Sequence, residues 1–416
     1  PRSTQSRSSA ASDVYKRQQQ HVFNMESPSQ DGAFVREALR VSSLPEYLRE
    51  FPRRARTPPE QMRGTRVISN PPGTTMLAYG IRRLVESWPT VREYLRGRVD
   101  VEEPELQRFR DRAAVGLATA AVLTLLWLLS GPVLYATGRL FFPPVAAATF
   151  AVACVISPPS LLLTPGKDAA QLLTAALPLW LWLLAWRRGW WWAGLLSGGF
   201  FVVACLVSLV HVWLAAIVLL AGLMSAPRAP GQLKRLLLWA LFPAVVGSVL
   251  TAILLYGLCG LDLLAAARAV AWSQAQVTRG PEAMPILWQA LGIPLFLLFA
   301  GPALWTVGLC RLAGTENRLR DEVSRLGLWL AMGSAAVMVS SVGFTNLETP
   351  RLWIPFVPML LLGAMVGLRA FRTPGGSDAR WLACLVGVQI VFSVLQWVLM
   401  DMREAETRLI SGEFFG

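Results

Sequence analysis

Hydrophobic and polar positions follow one pattern up to Arg112 and another beyond it. The first part is polar and holds short amphipathic stretches, whereas the second consists of long apolar runs separated by short loops. A helical apolar run of about 20 residues matches the thickness of a bilayer's hydrocarbon core. We identify about ten such runs, at 113–136, 143–162, 169–186, 190–207, 209–225, 234–257, 284–309, 326–342, 352–371 and 379–400. The pattern therefore predicts an all-α fold, a polytopic membrane helix bundle.

The polar part predicts an amphipathic helix that begins at Asp31 and runs to about Glu50. Its apolar face would consist of Phe34, Ala38, Leu39 and Val41.

A second amphipathic helix is predicted from Thr74 to Trp88. Its apolar positions recur at helical spacing, opposite three charged side chains. The apolar set is Leu77, Ile81, Leu84 and Trp88, and the charged set is Arg82, Arg83 and Glu86. Pro71 and Pro72 precede this helix and fix the angle at which the chain enters it. The helix from Thr74 to Trp88 is too short and too charged to span a membrane, so we expect it to lie in the interface plane. A second interfacial helix is predicted from Asp262 to Gln276.

These patterns divide the chain into four parts. Residues 1–20 are polar and of low complexity, and we interpret them as non-native sequence. Residues 21–112 form an outward-facing loop region with interfacial helices. Residues 113–400 form the transmembrane bundle, and residues 401–416 form a short outward-facing tail.

Composition supports membrane insertion and argues against a nucleic-acid-binding protein. Hydrophobic residues make up 54% of the chain and charged residues only 16%, with a mean hydropathy of +0.45. The net charge of +13 comes from arginines that flank apolar segments, not from a basic stripe on a soluble domain. The five cysteines lie in or beside apolar segments with no C-x-x-C spacing, so neither a zinc site nor a disulfide framework is expected.

Loop charges predict the orientation of the chain. The loop with Arg187 and Arg188 lies on the side that receives most of the arginine and lysine residues, which is therefore cytoplasmic. The 21–112 region then faces outward despite its arginines, because charge in long loops counts little in this rule. We expect a multi-pass protein of the cell (inner) membrane whose active face is non-cytoplasmic.

Candidate chemistry lies at the outer ends of the spans. Their middles hold almost no ionisable groups; His211 is the exception, and a packed, hydrogen-bonded core histidine is the expected role for it. This emptiness argues against an ion-coupled transporter. Gly198 and Gly199 favour close helix packing over a phosphate loop. The outer ionisable set is Asp31, Lys167, Asp168, Arg268, Glu348 and Arg351.

Carboxylates and cations in that position suit group transfer from a phosphate-linked lipid. A carboxylate could take the proton of a hydroxyl acceptor. Cations could hold a phosphate and stabilise the charge that develops as it leaves. Two carboxylates could also share a divalent cation, although nothing in the sequence demands a metal.

Four short motifs resemble those of GT-C class integral-membrane glycosyltransferases, which include aminoarabinose transferases, protein O-mannosyltransferases and Rgt-type transferases. Asp31, with Phe34 and Ala38, is similar to D-x-x-[YF]-x-x-x-A, and residues 70–73 (NPPG) are similar to H-P-P-[LG]. Residues 165–168 (PGKD) resemble the second outer-loop aspartate motif, and residues 348–358 resemble E-x-x-R-x-W-x-x-F-x-P. The resemblance runs from Asp31 to the end of the chain.

The resemblance implies transfer of a sugar from a polyprenyl-phosphate donor to a lipid, glycan or protein acceptor on the non-cytoplasmic face. Asp31 would be the general base, and Asp168 would position the acceptor or the base. Lys167 and Arg351 would contact the donor phosphate. The supporting residues would be Asn70, Glu348 and Arg268.

Two departures from the family pattern accompany this expectation. Asn70 stands where the family often has histidine, so no proton relay is expected at that position. The family has a membrane helix before the residue matched by Asp31, so the resemblance implies an N-terminally truncated chain. A non-catalytic multi-pass protein, such as a lipid-linked glycan flippase or assembly partner, is the alternative.

Overall fold

The computed structural model describes residues 31–57, 67, 69–98, 107–226, 231–278, 301, 322–345, 352–367 and 377–399. Throughout these ranges every regular element is a helix, which confirms the predicted all-α class. The first four helices are short and amphipathic: α1 (Gly32–Arg40), α2 (Leu44–Arg54), α3 (Gly73–Ser87) and α4 (Pro89–Arg96).

Three of the following helices are long and apolar enough to cross a membrane: α5 (Gln107–Arg139), α8 (Lys167–Arg188) and α11 (Gln232–Cys259). The helix α11 contains a π-helical turn at Leu236–Leu241. The remaining predicted spans that fall on described residues correspond to shorter apolar helices. The predicted span at 284–309 lies outside the described residues, apart from Gly301.

Eight other helices and a 3-10 turn lie within the described residues. They are α6 (Pro144–Val155), α7 (Pro158–Leu162), α9 (Trp191–Val207), α10 (Val210–Ser225), α12 (Leu263–Thr278), α13 (Glu322–Thr345), a 3-10 turn (Ile354–Phe356), α14 (Val357–Gly367) and α15 (Ser377–Leu399). Apolar segments of 10–17 residues lie in α6, α9, α10, α13, α14 and α15. Helix α12 confirms the helix predicted over Asp262–Gln276.

The chain forms two compact units. Unit 1 consists of Pro1–Leu129, Pro165–Trp213 and Leu238–Ala283. Its largest apolar cluster joins α1, α2 and α12, with Phe34, Phe51 and Val270 among the buried side chains. Two smaller clusters pack α1 and α3 against α5, and α5 against α8. These contacts place the beginning of α8 beside the beginning of α1.

Unit 2 consists of Ser130–Thr164, Leu214–Leu237 and Met284–Gly416. Helices α13 and α14 pack closely, because a Cβ at Gly327 would meet Val366. Trp353 is fully buried, and its indole N–H lies within hydrogen-bond distance of the Met338 carbonyl at 3.1 Å and of Ser341 Oγ at 3.0 Å. None of the predicted site residues that the structure describes lies in this unit.

A crossing of small residues joins α9 to α11, as predicted for Gly198. A Cβ at Gly198 would overlap the Ala244 carbonyl, and one at Gly247 would overlap the Leu195 carbonyl. Ser248 Oγ also donates to the Gly198 carbonyl at 3.1 Å. Small residues let two helix backbones approach this closely, which is how helices associate where apolar lipid removes the hydrophobic driving force.

Two boundaries differ from the predicted ones. The predicted helix from Asp31 to Glu50 is wrong, because α1 ends at Arg40 and α2 begins at Leu44. Ser43 is extended and Pro45 stands at the start of α2, where proline suits a helix start but not a helix interior. The predicted element at 143–162 is likewise two helices, since Pro158 and Pro159 begin α7 after a break at Ser157.

The buried face of α3 also differs from the predicted one. Leu84 and Trp88 are 50% and 57% exposed, whereas Thr74, Thr75, Ala78, Ile81 and Val85 are buried. Ala78 packs against Val35, Ala38 and Val115. Ile81 of the predicted face is buried, but Ala78 rather than Leu84 or Trp88 lies against α1, because its small side chain allows α3 to approach that helix closely.

Arg82, which was predicted on the charged outer face, turns towards the end of α1. Its Nη1 donates to the carbonyls of Ala38, Leu39 and Val41 at 3.0 to 3.1 Å. The last carbonyls of a helix lack donors within the helix, and a cation there also favours the helix dipole. Arg82 therefore fixes the end of α1 to α3.

Candidate functional site

The candidate site is built on the first turn of α8. Gly166 is extended at the N-cap, so the helix begins abruptly at Lys167 and Asp168. These two side chains are 3% and 6% exposed. Asp168 is favoured near the positive end of the helix dipole, whereas Lys167 is not and needs other partners.

Asp31 supplies an acceptor to this helix end. Its Oδ2 accepts the backbone N–H of Lys167 at a donor–acceptor distance of 2.5 Å, although the two residues lie 136 positions apart. The first N–H groups of a helix have no acceptor within the helix, and a carboxylate is well suited to them. The side chain of Asp31 is thus held, 8% exposed, against the beginning of α8.

The ammonium of Lys167 lies among polar and aromatic groups. It donates to Asn70 Oδ1 at 2.5 Å, and Asp168 Oδ1 is 4.0 Å away. It also lies 5.0 Å from the ring centroid of Phe34, which is within the range of a cation–π contact. Lys167 therefore joins α8 to α1, through Phe34, and to the turn before α3, through Asn70.

Asn70 is held by the turn that leads into α3. Pro72 is the N-cap of this helix, and a Cβ at Gly73 would overlap the carbonyl of Leu206, so glycine is required for this approach. Gln274 of α12 donates to the Ser69 carbonyl at 3.0 Å. These contacts fix the turn and explain the Pro-Pro-Gly sequence without giving the prolines a chemical role.

A second set of hydrogen bonds extends from Asp168 along α8. Gln171 Nε2 donates to Asp168 Oδ1 at 2.6 Å. Thr174 Oγ1 lies 3.1 Å from the carbonyl of Gln171 and 3.0 Å from His211 Nε2. His211 Nδ1 lies 2.9 Å from the Ser208 carbonyl, so the predicted packed, hydrogen-bonded histidine is confirmed.

A separate buried ion pair lies further along α1. Glu37, 3% exposed, pairs with Arg54 of α2, and the guanidinium of Arg54 lies 5.2 Å from the ring centroid of Tyr47. Burial raises the pKa of Tyr47 above its usual range, so this phenol stays neutral at ordinary pH. The pair fastens α2 to α1 and does not belong to the group around Lys167.

Four of the predicted site residues are brought together: Asp31, Asn70, Lys167 and Asp168. Arg268 instead lies on the exposed side of α12. Glu348 and Arg351 lie outside the described residues. Among the residues whose positions are given, no group of three or more His, Cys, Asp or Glu side chains could hold a metal ion.

Sequence reasoning missed Gln171 and Thr174. Together with Lys167 they stand at positions i, i+4 and i+7 of α8, which places them on one face of an otherwise apolar helix. A polar stripe of this kind in a membrane-length helix could have identified them. The contact of Thr174 with His211 joins α8 to α10, and no local pattern indicates it.

The arrangement provides proton acceptors and a cation in a water-poor interior. Asp31 and Asp168 carry carboxylates, and the ammonium of Lys167 lies beside Asp168 and Asn70. Electrostatic interactions are stronger in such an interior than in water. A substrate can reach these groups only if the surrounding helices open a path, because all three charged side chains are buried.

Neither the protein-family models nor the curated proteins contain a match to this chain.

Proposed function

We propose that this protein is a membrane glycosyltransferase that moves a sugar from a polyprenyl-phosphate-linked donor to a lipid, glycan or protein acceptor. The observation that carries the proposal is the meeting of three motifs of the resemblance, distant in sequence, around Lys167. Asp31 comes from the first motif, Asn70 from the second, and Lys167 and Asp168 from the third.

In the proposed reaction, Asp31 accepts the proton of the acceptor hydroxyl. The acceptor oxygen then attacks the anomeric carbon of the donor sugar, and the bond between that carbon and the phosphate oxygen breaks. Polyprenyl phosphate leaves with the bonding electrons. A carboxylate suits the first step because it accepts protons, and Asp168 would orient the acceptor hydroxyl beside it.

The leaving phosphate requires positive charge. Lys167 supplies one ammonium, and the carboxylate of Asp168 lies beside it. A cation that is partly neutralised in this way holds a phosphate poorly, so we assign Arg351 as a second cation for the leaving group. Two cations on one phosphate would stabilise the charge that develops as the bond breaks.

The proposed setting is the outer face of a cell (inner) membrane protein with about ten spans, in the GT-C class. The three long apolar helices support membrane insertion. The beginning of α8 holds the site, and its end carries Arg187 and Arg188, which the loop-charge rule assigns to the cytoplasmic side. This direction of α8, with Arg187 and Arg188 at its cytoplasmic end, supports an outward-facing site at its other end.

Substitution of Asp31 by asparagine tests the proposal. The asparagine carbonyl can still accept the Lys167 N–H, so the fold should survive while the proton acceptor is lost. We expect sugar transfer to fall by roughly 10²- to 10⁴-fold. The assay uses the full chain in proteoliposomes, radiolabelled polyprenyl-phosphate hexose and pentose donors, and a membrane extract as acceptor.

Asp262→Asn is the matched control. Asp262 caps α12 through the N–H of Ala265 at 2.9 Å and is exposed, and asparagine caps helices as well as aspartate does. Its activity should equal that of the wild type. Full activity of Asp31→Asn would remove Asp31 from the mechanism. Donor movement between leaflets without any bond formation would favour the flippase alternative.

A further inference from the structure

The buried histidine of α10 is connected to the candidate site through one face of α8. His211 is 1% exposed, and its two ring nitrogens lie close to Thr174 Oγ1 and to the Ser208 carbonyl. Thr174 lies two helical turns below Lys167 on the same face. The contact therefore joins the start of α10 to the part of α8 that carries the site.

The hydrogen-bond partners determine the tautomer of His211. A backbone carbonyl can only accept, so Nδ1 must carry the hydrogen that is donated to Ser208. In the neutral ring, Nε2 is then an acceptor, and the Thr174 hydroxyl donates to it at 3.0 Å. Each ring nitrogen thus has a defined partner.

This part of α8 lacks one rung of its helical hydrogen-bond ladder. Pro178 lies inside the helix and has no N–H to give to the carbonyl four residues earlier, which is that of Thr174. A helix bends most readily where a proline interrupts the ladder. The first turns of α8 consequently depend on side-chain contacts for their orientation, and the Thr174–His211 hydrogen bond is such a contact.

We propose that His211 is a positioning residue that fixes the first turns of α8 through Thr174 and so holds Lys167 and Asp168 in place. The inference rests on the proposed function only for its catalytic consequence. Thr174 is joined to Asp168 through the helix itself, in which Gln171 lies between them and donates from its side chain to the carboxylate. This link transmits position and not a proton, because the amide of Gln171 interrupts any proton path.

Two pairs of substitutions test the two side chains of this contact, one pair at His211 and one at Thr174. His211→Asn retains a donor for the Ser208 carbonyl and loses the partner of Thr174, whereas His211→Gln retains an acceptor near the position of Nε2. Thr174→Val removes the hydroxyl at nearly constant volume, and Thr174→Ser keeps it. A role of this contact that depends only on side-chain volume would leave Thr174→Val like the wild type, because valine keeps the volume of threonine.

The first measurement is amide hydrogen exchange of residues 165–175 in the full chain in nanodiscs, which requires no substrate. We expect exchange to be roughly 3- to 10-fold faster in His211→Asn and Thr174→Val, as for the loss of one hydrogen bond. His211→Gln and Thr174→Ser should remain near wild type. The double variant His211→Asn/Thr174→Val should be no faster than either single variant, because both remove the same contact.

The second measurement is sugar transfer, in which the same two variants should lower kcat by a similar factor and leave KM little changed. Unchanged exchange in His211→Asn and Thr174→Val would overturn the inference whatever the transferase activity. Faster exchange with unchanged kcat would also overturn it, since the position of Asp168 would then not matter. Faster exchange in a chain that transfers no sugar would refute the proposed function and leave the positioning role of His211 standing.

Discussion

Helices α8 and α11 are both long enough to cross a membrane, yet they occupy opposite environments. In their most apolar segments, 72% of α8 is buried inside the protein but only 22% of α11. The first turn of α8 holds buried Lys167 and Asp168, whereas the first turn of α11 exposes Lys234 and Arg235. Two helices of similar hydropathy therefore differ in their surroundings. Helix α8 is internal and carries polar groups, whereas most of α11 lies on the surface of the protein.

The difference shows where polar residues can be placed in an apolar chain. A buried charge is tolerated when neighbouring groups satisfy it, and Asn70 and Asp168 do so for the ammonium of Lys167. A helix that faces lipid cannot provide such neighbours. It keeps its cations at the end, where they reach water or lipid headgroups.

The largest effect should come from removing the buried cation of α8. Lys167→Met leaves the buried carboxylate of Asp168 without its ammonium, and loss of one partner of a buried ion pair costs about 3–5 kcal/mol. We expect a decrease of that size in the free energy of unfolding, measured by denaturation in mixed micelles. Lys234→Met on α11 is the control and should change it by less than about 0.5 kcal/mol. Equal effects of the two substitutions would contradict the comparison.

An intermediate effect is expected on the outer face of α11. Leu250 is 48% exposed, and if this face meets lipid, Leu250→Lys should raise the apparent free energy of insertion by about 3 kcal/mol. The measurement is the inserted fraction of the segment, read from glycosylation sites on either side. Leu250→Ala is the control for side-chain size. An unchanged inserted fraction for the lysine variant would show that this face does not require an apolar surrounding.

The smallest effect concerns the part of α11 that is buried. A Cβ at Gly247 would overlap the Leu195 carbonyl, so Gly247→Ala should lower the free energy of unfolding by about 1–3 kcal/mol through overpacking. Gly257 lies in the same helix with open space around it, and Gly257→Ala should leave stability unchanged or slightly raised. Tolerance of both substitutions would mean that α9 and α11 do not cross at this point.

The helical class and most helix positions could be predicted from hydrophobic periodicity, but the orientation of each helix could not. Helix α3 shows why, because it has apolar residues on more than one side. Periodicity selected Leu84 and Trp88, whereas packing selected Ala78 and Val85. The choice of buried face depends on how closely α1 and α5 approach α3. A single sequence does not give these distances.

The candidate site could be predicted only where its residues belong to the short motifs that resemble those of the glycosyltransferases. Asp31, Asn70, Lys167 and Asp168 were singled out and do meet. Gln171 and Thr174 carried a usable signal in their spacing along α8. The contact with His211 carried none, because it depends on how the break at Ser208 directs α10 against α8.

The hydrogen bond between Asp31 and Lys167 has a consequence for how the protein is made. The segment with Asp31 leaves the ribosome 136 residues before its partner, so this hydrogen bond cannot form until the first turn of α8 has been made. Contacts between residues this far apart form late because a long stretch of chain has to be ordered first. Nascent chains stalled before α8 would therefore hold this carboxylate without its partner on α8.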